Sequence, residues 1–385
     1  MTKNFSPARW ALPVLAAAIL AACGGGDSMR YTSLVSFGDS LSDVGTYRVG
    51  TVAALGGGKF TVNGPNALNW TELLAKRMEL PAPCPAQTGL LPNIPGLVGA
   101  PVTNTAGCYN YAQGGSRVTS PVGTQSVALQ EAPFNAFTLG MTAVPVQTQM
   151  ANHLSRMGGT FSGNEMVTVM AGANDLFMNL NAVAVAAQGG APAVGTAIAA
   201  GWSEATQAAV AAGGDEALNA AAAAALQSMG QAGATLATLV RQQVLGKGAR
   251  HVLVANIPDV GITPLALARD ADTRQLITDL AATFNDQLQA GLQGAPVVWS
   301  DLFAQSRQQV AEPARFGLTN TTTPACSADT ALNPLGGSSL VCTQRSTTVP
   351  DTDGYLYADD VHPTPRGQRL IADYLIERLE RVGRL

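Results

Sequence analysis

The chain has 385 residues, of which 46% are hydrophobic and 12% charged, with a formal net charge of −4. That length is enough to bury a full hydrophobic core. The mild acidity and the scatter of Lys and Arg exclude the basic stripe that nucleic-acid binding requires, and a polybasic membrane patch as well.

At the N-terminus, Lys3 and Arg9 precede an apolar run from Trp10 to Ala22, too short to span a bilayer as a mature helix. The run ends in Leu20-Ala21-Ala22-Cys23 and passes into Gly24-Gly25-Gly26-Asp27. This pattern is similar to a bacterial lipoprotein signal, with residues 1–22 removed, Cys23 lipidated and 23–30 a glycine-rich tether. A plain secretory signal is the alternative, and either implies export. Gly24 rather than Asp after the cysteine resembles outer-membrane sorting in Gram-negative bacteria, with periplasmic or secreted protein as the alternative. An oxidising compartment makes the remaining cysteines legible. Cys84, Cys108, Cys326 and Cys342 permit three pairings, of which the sequence-local ones, Cys84 with Cys108 and Cys326 with Cys342, are favoured. No C-x-x-C and no nearby histidine support a zinc site.

Short apolar runs at 33–37, 166–171, 251–257 and 296–299 read as buried parallel strands, with a weaker one at 108–112. Helical patterns lie between them at 68–79, 145–157, 270–293 and 364–382. This alternation predicts an α/β fold with a mostly parallel sheet covered on both faces, and ligands bound beyond the carboxyl ends of its strands. Residues 181–240, rich in Ala, Gly and Gln, predict an inserted helical hairpin, with turns at Gly189-Gly190 and Gly213-Gly214. The insertion is expected either to overhang the site as a partial lid or to act as a packing arm. The rest, 31–385, is expected to be a single domain.

Three strand ends carry chemistry. The first stops at Gly38-Asp39-Ser40, which holds a serine at the lip of the sheet. "NYAQGGSRV" puts Gly114 and Gly115 after the second, where backbone N–H can approach a ligand. "AGANDL" adds Asn174 after the third, whose amide can donate to an oxyanion. A serine nucleophile needs a base. His153 reads as a mid-helix packing or surface residue and His251 as a strand-edge residue. His362 sits in "YADDVHPTPRG", a polar loop pinned by two prolines. Asp359, three residues earlier, can turn back to accept its Nδ1 proton. Asp360, two residues earlier, is expected to face solvent or cap the next turn.

"FGDSLSDVG", "NYAQGG", "GANDL" and "DDVHPT" resemble, in order, the four blocks of the SGNH or GDSL family of serine esterases and lipases. The resemblance implies a three-layer α/β/α sandwich with a small flavodoxin-like sheet. It implies Ser40 as nucleophile, His362 as base and Asp359 as its orienting acid. The Ser40 N–H, the Gly115 N–H and the Asn174 side chain would form the oxyanion hole, with Gly114 the less favoured donor. No metal and no cofactor are implied. The absence of G-x-S-x-G and S-x-x-K disfavours the α/β-hydrolase and β-lactamase plans.

The expected activity is hydrolysis of fatty-acyl or phospholipid-type esters, with acyl transfer open. A carbohydrate O-acetylesterase and a non-catalytic lipoprotein binding ligands on a hydrolase scaffold are the alternatives. The expected partners are the ester substrate and, through Cys23, a membrane. The expected state is a monomer. The last segment reads as one helix, so no C-terminal barrel is expected.

Overall fold

The computed structural model describes residues 1–2 and 30–385, so the signal-like run and Cys23 lie outside the described residues. The strands are β1 (Leu34–Gly38), β2 (Gln87–Leu90), β3 (Ala100–Asn104), β4 (Met166–Met170), β5 (His251–Ala255) and β6 (Val297–Ser300). A parallel sheet runs in the order β1-β4-β5-β6, with Leu34 beside Met166 and Met166 beside His251. The weak run at 108–112 lies along the other edge of β1. There Ser36 N–H donates to Tyr109, Tyr111 N–H to Ser36, and Gln113 N–H to Gly38. With that segment included, the spatial order is that of a flavodoxin-like sheet. An antiparallel ribbon of β2 and β3, which the sequence pattern did not predict, stands apart.

The helices are α1 (Gly50–Ala54), α2 (Trp70–Arg77), α3 (Val146–Arg156), α4 (Ala173–Ala186), α5 (Gly190–Ala200) and α6 (Glu204–Ala212). They continue with α7 (Gly214–Leu239), α8 (Pro264–Leu267), α9 (Ala271–Gly291), α10 (Leu302–Ala311) and α11 (Pro365–Arg381). Successive strand residues point to opposite faces, so each strand feeds two cores. Val35, Phe37, Val167, Val169, Val252 and Val254 pack on one side with Met150 of α3, Leu176 of α4 and Phe284 of α9. Leu34, Met166, Met170 and Leu253 pack on the other with Trp70 and Leu74 of α2 and Leu375 of α11. The result is a three-layer α/β/α sandwich. Burial on both faces is why the strands read as continuous apolar runs.

The expected helical hairpin at 181–240 is instead three helices, α5 to α7, following on from α4. Gly189 and Gly213 turn the chain as predicted, with φ of 69° and 72°. A further break falls at Gly201, whose left-handed φ of 85° ends α5 before Ser203 caps α6. A lone glycine inside an Ala-rich run carries too weak a signal to announce that turn.

Candidate active site

At Gly38, an added Cβ would lie 2.3 Å from the Met170 carbonyl oxygen of β4, so only glycine lets the two strands close at this point. The chain then leaves the sheet with Ser40 at its carboxyl edge. His362 arrives from the far end of the sequence, just ahead of α11. That helix is started by Pro365 and by the Thr364 side chain, which accepts from Gly367 N–H at 3.2 Å.

His362 Nε2 lies 2.8 Å from Ser40 Oγ, and its Nδ1 lies 2.8 and 2.9 Å from the two Asp359 oxygens. A carboxylate at Nδ1 keeps the proton there and leaves Nε2 bare toward the serine hydroxyl. Asp359 also accepts from the N–H groups of His362 at 2.7 Å, Val361 at 3.0 Å and Ser339 at 3.0 Å. Burial alone would raise Asp359, but the His362 charge and these donors hold it well below the usual carboxylate range. Burial alone would lower His362, but Asp359 outweighs it and raises the imidazole above 6.5. Asp360 is exposed, and its carboxylate has no hydrogen-bond partner among the described residues. Burial first, and then the Asp359 charge, raise it. Asp39, fully buried close by, is pushed up to about 7 by burial, against its Leu41 N–H bond and the His362 charge.

The two glycines after the edge segment differ in what their N–H groups do. Gly114 N–H donates to Asp43 Oδ2 at 3.0 Å. Gly115, in the left-handed region at φ 81°, has no N–H partner among the described residues, and neither has Ser40. Asn174 is oriented from both ends of its amide. Its Oδ1 accepts from the Thr124 hydroxyl at 2.6 Å, and its Nδ2 donates to the Ser116 carbonyl at 3.1 Å, leaving one amide hydrogen uncommitted. Ser40, Gly115, Asn174 and His362 all line one cleft of about 640 Å³.

Several residues that build this arrangement went unnoticed in the sequence. Asp43 accepts from Gly45 and Thr46 N–H at 2.8 Å each, besides Gly114, and so holds the glycine loop. Gln149 of α3 accepts from Gly38 N–H at 2.9 Å and donates to the Gly38 carbonyl at 2.8 Å. Arg117 pairs with Asp175 at 2.9 Å, both about 5% exposed, fastening the glycine loop to the start of α4. Phe60 lies against the His362 ring with centroids 4.9 Å apart. None carried a local motif of its own. Asp43, inside the first quoted block, and Arg117, two residues past the second, offered the nearest thing to a signal. The other histidines lie elsewhere: His153 is buried among Phe37, Tyr111 and Phe161, and His251 contacts Arg384. Both expected disulfides, Cys84–Cys108 and Cys326–Cys342, are formed.

A serine, an imidazole and a carboxylate joined by hydrogen bonds at the carboxyl edge of a parallel sheet, beside unpaired N–H donors, have the arrangement of a serine hydrolase. The chain matches the GDSL-like Lipase/Acylhydrolase family over residues 34–375 and belongs to it. It is 35% identical over 133 residues to "Esterase EstA" of Pseudomonas aeruginosa and, equally, to that of Pseudomonas putida. That stretch is 33% of this chain and 19% of each relative, so the chain spans about a fifth of their length. A GDSL esterase/lipase of Arabidopsis thaliana is 28% identical over 142 residues, covering 34% of this chain and 37% of that protein.

Proposed function

We propose that the protein is an exported serine esterase that cleaves carboxylic esters of fatty-acyl type through an acyl-serine intermediate. The observation that carries this is His362, whose two ring nitrogens join Ser40 Oγ and Asp359 at 2.8 Å each. Nε2 takes the Ser40 proton as Oγ bonds to the ester carbon. The oxyanion so formed faces the Ser40 N–H, the Gly115 N–H and the Asn174 amide. Collapse expels the alcohol, which leaves with the proton from His362. Water repeats both steps on the acyl-serine, releasing the acid and restoring Ser40.

The fatty-acyl preference is supported by a second pocket that also opens on Ser40 and His362. Its wall is mostly apolar, with Leu41, Phe177, Val260, Leu302, Leu356 and Ile371. Apolar lining with few polar groups suits a hydrocarbon chain. The wall comes from α4, α10 and α11, the loops after β1 and β5, and the segment ahead of α11. No residue of 181–240 lines either cavity, so the support comes from the packing of the sandwich and not from the Ala-rich insertion.

Export and lipid attachment at Cys23 rest on the N-terminal pattern. No helix among the described residues is long and apolar enough to cross a membrane. Membrane-fraction protein is expected to take up labelled palmitate, and Cys23→Ser to abolish that uptake. For the activity, p-nitrophenyl esters from acetyl to palmitoyl are compared with phospholipid and acetyl-xylan. Turnover is expected to rise with chain length and to vanish in Ser40→Ala, together with fluorophosphonate labelling. Preference for acetyl esters and acetyl-xylan would move the reading to the carbohydrate O-acetylesterase.

A further inference from the structure

Asp359 sits in a turn that supplies most of its own donors, since Val361 and His362 are only two and three residues away. Its remaining backbone donor, the Ser339 N–H, comes from the loop that the Cys326–Cys342 bond closes. Cys326 N–H in turn donates at 2.8 Å to the carbonyl of Ala358, the residue before Asp359. The loop is gripped from its other side by residues 57–63. Gly58 N–H donates to the Leu340 carbonyl at 2.8 Å and Asn63 N–H to the Cys342 carbonyl at 2.7 Å. The buried Asn63 side chain adds contacts from Nδ2 to the Ser339 carbonyl at 2.9 Å and the Cys342 carbonyl at 3.1 Å. The same Nδ2 reaches the Lys59 and Thr61 carbonyls at 2.9 and 3.0 Å, so its two hydrogens are shared among four acceptors.

We infer that Asn63 and the disulfide-closed loop 326–342 position the acid of the triad, by holding Ser339 N–H where it fixes the Asp359 carboxylate against His362 Nδ1. The inference rests on the acyl-serine reading above. Ser339 N–H and His362 Nδ1 share the same oxygen, Asp359 Oδ2. Losing the outer donor leaves that oxygen held by the imidazole alone, while Oδ1 keeps its Val361 and His362 N–H bonds, and loosens the alignment of the carboxylate with Nδ1. Hydrogen bonds to an ionised acceptor are the strong ones. Opening the disulfide releases a loop of sequence separation 16 and weakens the restraint on that donor. None of these residues touches the ester; they act through Asp359. The enzyme's turnover is therefore tied to the thiol–disulfide state of Cys326 and Cys342.

Three variants of the full mature chain test this: Cys326→Ser with Cys342→Ser, Cys84→Ser with Cys108→Ser, and Asn63→Ala. Each is assayed for p-nitrophenyl ester turnover, fluorophosphonate labelling rate and the downfield NMR resonance of the His362 Nδ1 proton. The first and third are expected to lose about ten- to a hundredfold in kcat, the range for a hydrogen bond to a charged group. Their KM should stay within about twofold and the Nδ1 resonance should move upfield. The Cys84–Cys108 variant should melt earlier yet keep kcat. Equal kcat losses in the two disulfide variants would overturn the inference. If the Cys326–Cys342 variant does not fold, Asn63→Ala decides with both disulfides intact, and wild-type kcat in it overturns the inference. A wild-type protein that neither takes label nor turns over ester would sink the acyl-serine reading itself, and this inference with it.

Discussion

Asp359 accepts N–H bonds from three backbone groups and faces His362 Nδ1, whereas the neighbouring Asp360 carboxylate has no partner among the described residues. We predict that Asp359→Asn lowers kcat by up to about ten-thousandfold, as loss of the orienting acid does in the best-studied serine triad. Asp360→Asn should stay within about tenfold of wild type, and reversed results would contradict the turn geometry. Arg117 offers a stability test at the same scale. With both partners about 5% exposed, Arg117→Met leaves the Asp175 charge buried with only the Val118 N–H at 3.0 Å. Losing one member of such a pair costs about 3–5 kcal/mol. The Ala199 and Ala200 carbonyls of α5 also lose their guanidinium donors. Urea denaturation measures the loss, and a change below about 1 kcal/mol would refute the structural weight given to the pair.

Among the elements, the insertion is decided by its packing. On α7 the buried positions Ala217, Ala221, Ala225, Met229 and Gly233 recur every four residues and form a narrow stripe of mainly small side chains. Small residues let α7 and α9 approach closely. A Cβ on Gly233 would sit 2.2 Å from the Phe284 carbonyl oxygen. Gly233→Ala therefore forces the helices apart, at a cost of about 1–3 kcal/mol for overpacking. Because no residue of 181–240 lines either cavity, the melting temperature should fall while kcat/KM stays near wild type. A selective loss of turnover with an unchanged melt would instead make the insertion part of the site. The elements bounding the site were easier to read than this arm. Apolar runs of four to seven residues and a Thr-Pro start before α11 are local signals. The ribbon β2–β3 and helix α10 lack them, because β2 is half polar and α10 carries Gln, Ser and Arg through its middle.

For the whole molecule, two histidines shift in opposite directions and separate activity from stability. In the proposed mechanism His362 must be neutral to take the Ser40 proton, and Asp359 raises it above 6.5. The acid limb of kcat/KM should therefore lie above pH 6.5, and a limb below that value would contradict the pairing. Burial lowers His153 from 6.5 to about 4, so the folded protein keeps it neutral where the unfolded chain protonates it. As pH falls from 6.5 toward 4, the unfolded state alone gains that proton and stability declines; below 4 both states carry it and the loss stops growing. Between pH 7 and pH 5 the decline is on the order of 2 kcal/mol. Urea melts at those two pH values should show a smaller difference in His153→Leu than in wild type.

Much of the site is written locally. Ser40 follows a strand that must end in glycine, and Asp359 lies one tight turn from His362. Asn174 opens a helix straight after a strand. Such features depend on side-chain period, turn chemistry and short spacing, which a linear sequence displays. Which glycine N–H is left unpaired was decided by Asp43, across a contact from Oδ2 to Gly114. The supports around Asp359 were decided by pairs such as Asn63 and Ser339, which are 276 residues apart in the chain. No local pattern marks a contact of that kind, because it exists only after the sheet has brought the two loops to one edge. The apolar cavity at Ser40 likewise arises where α4, α10, α11 and the loops after β1 and β5 converge, and it took the packed sandwich to form it.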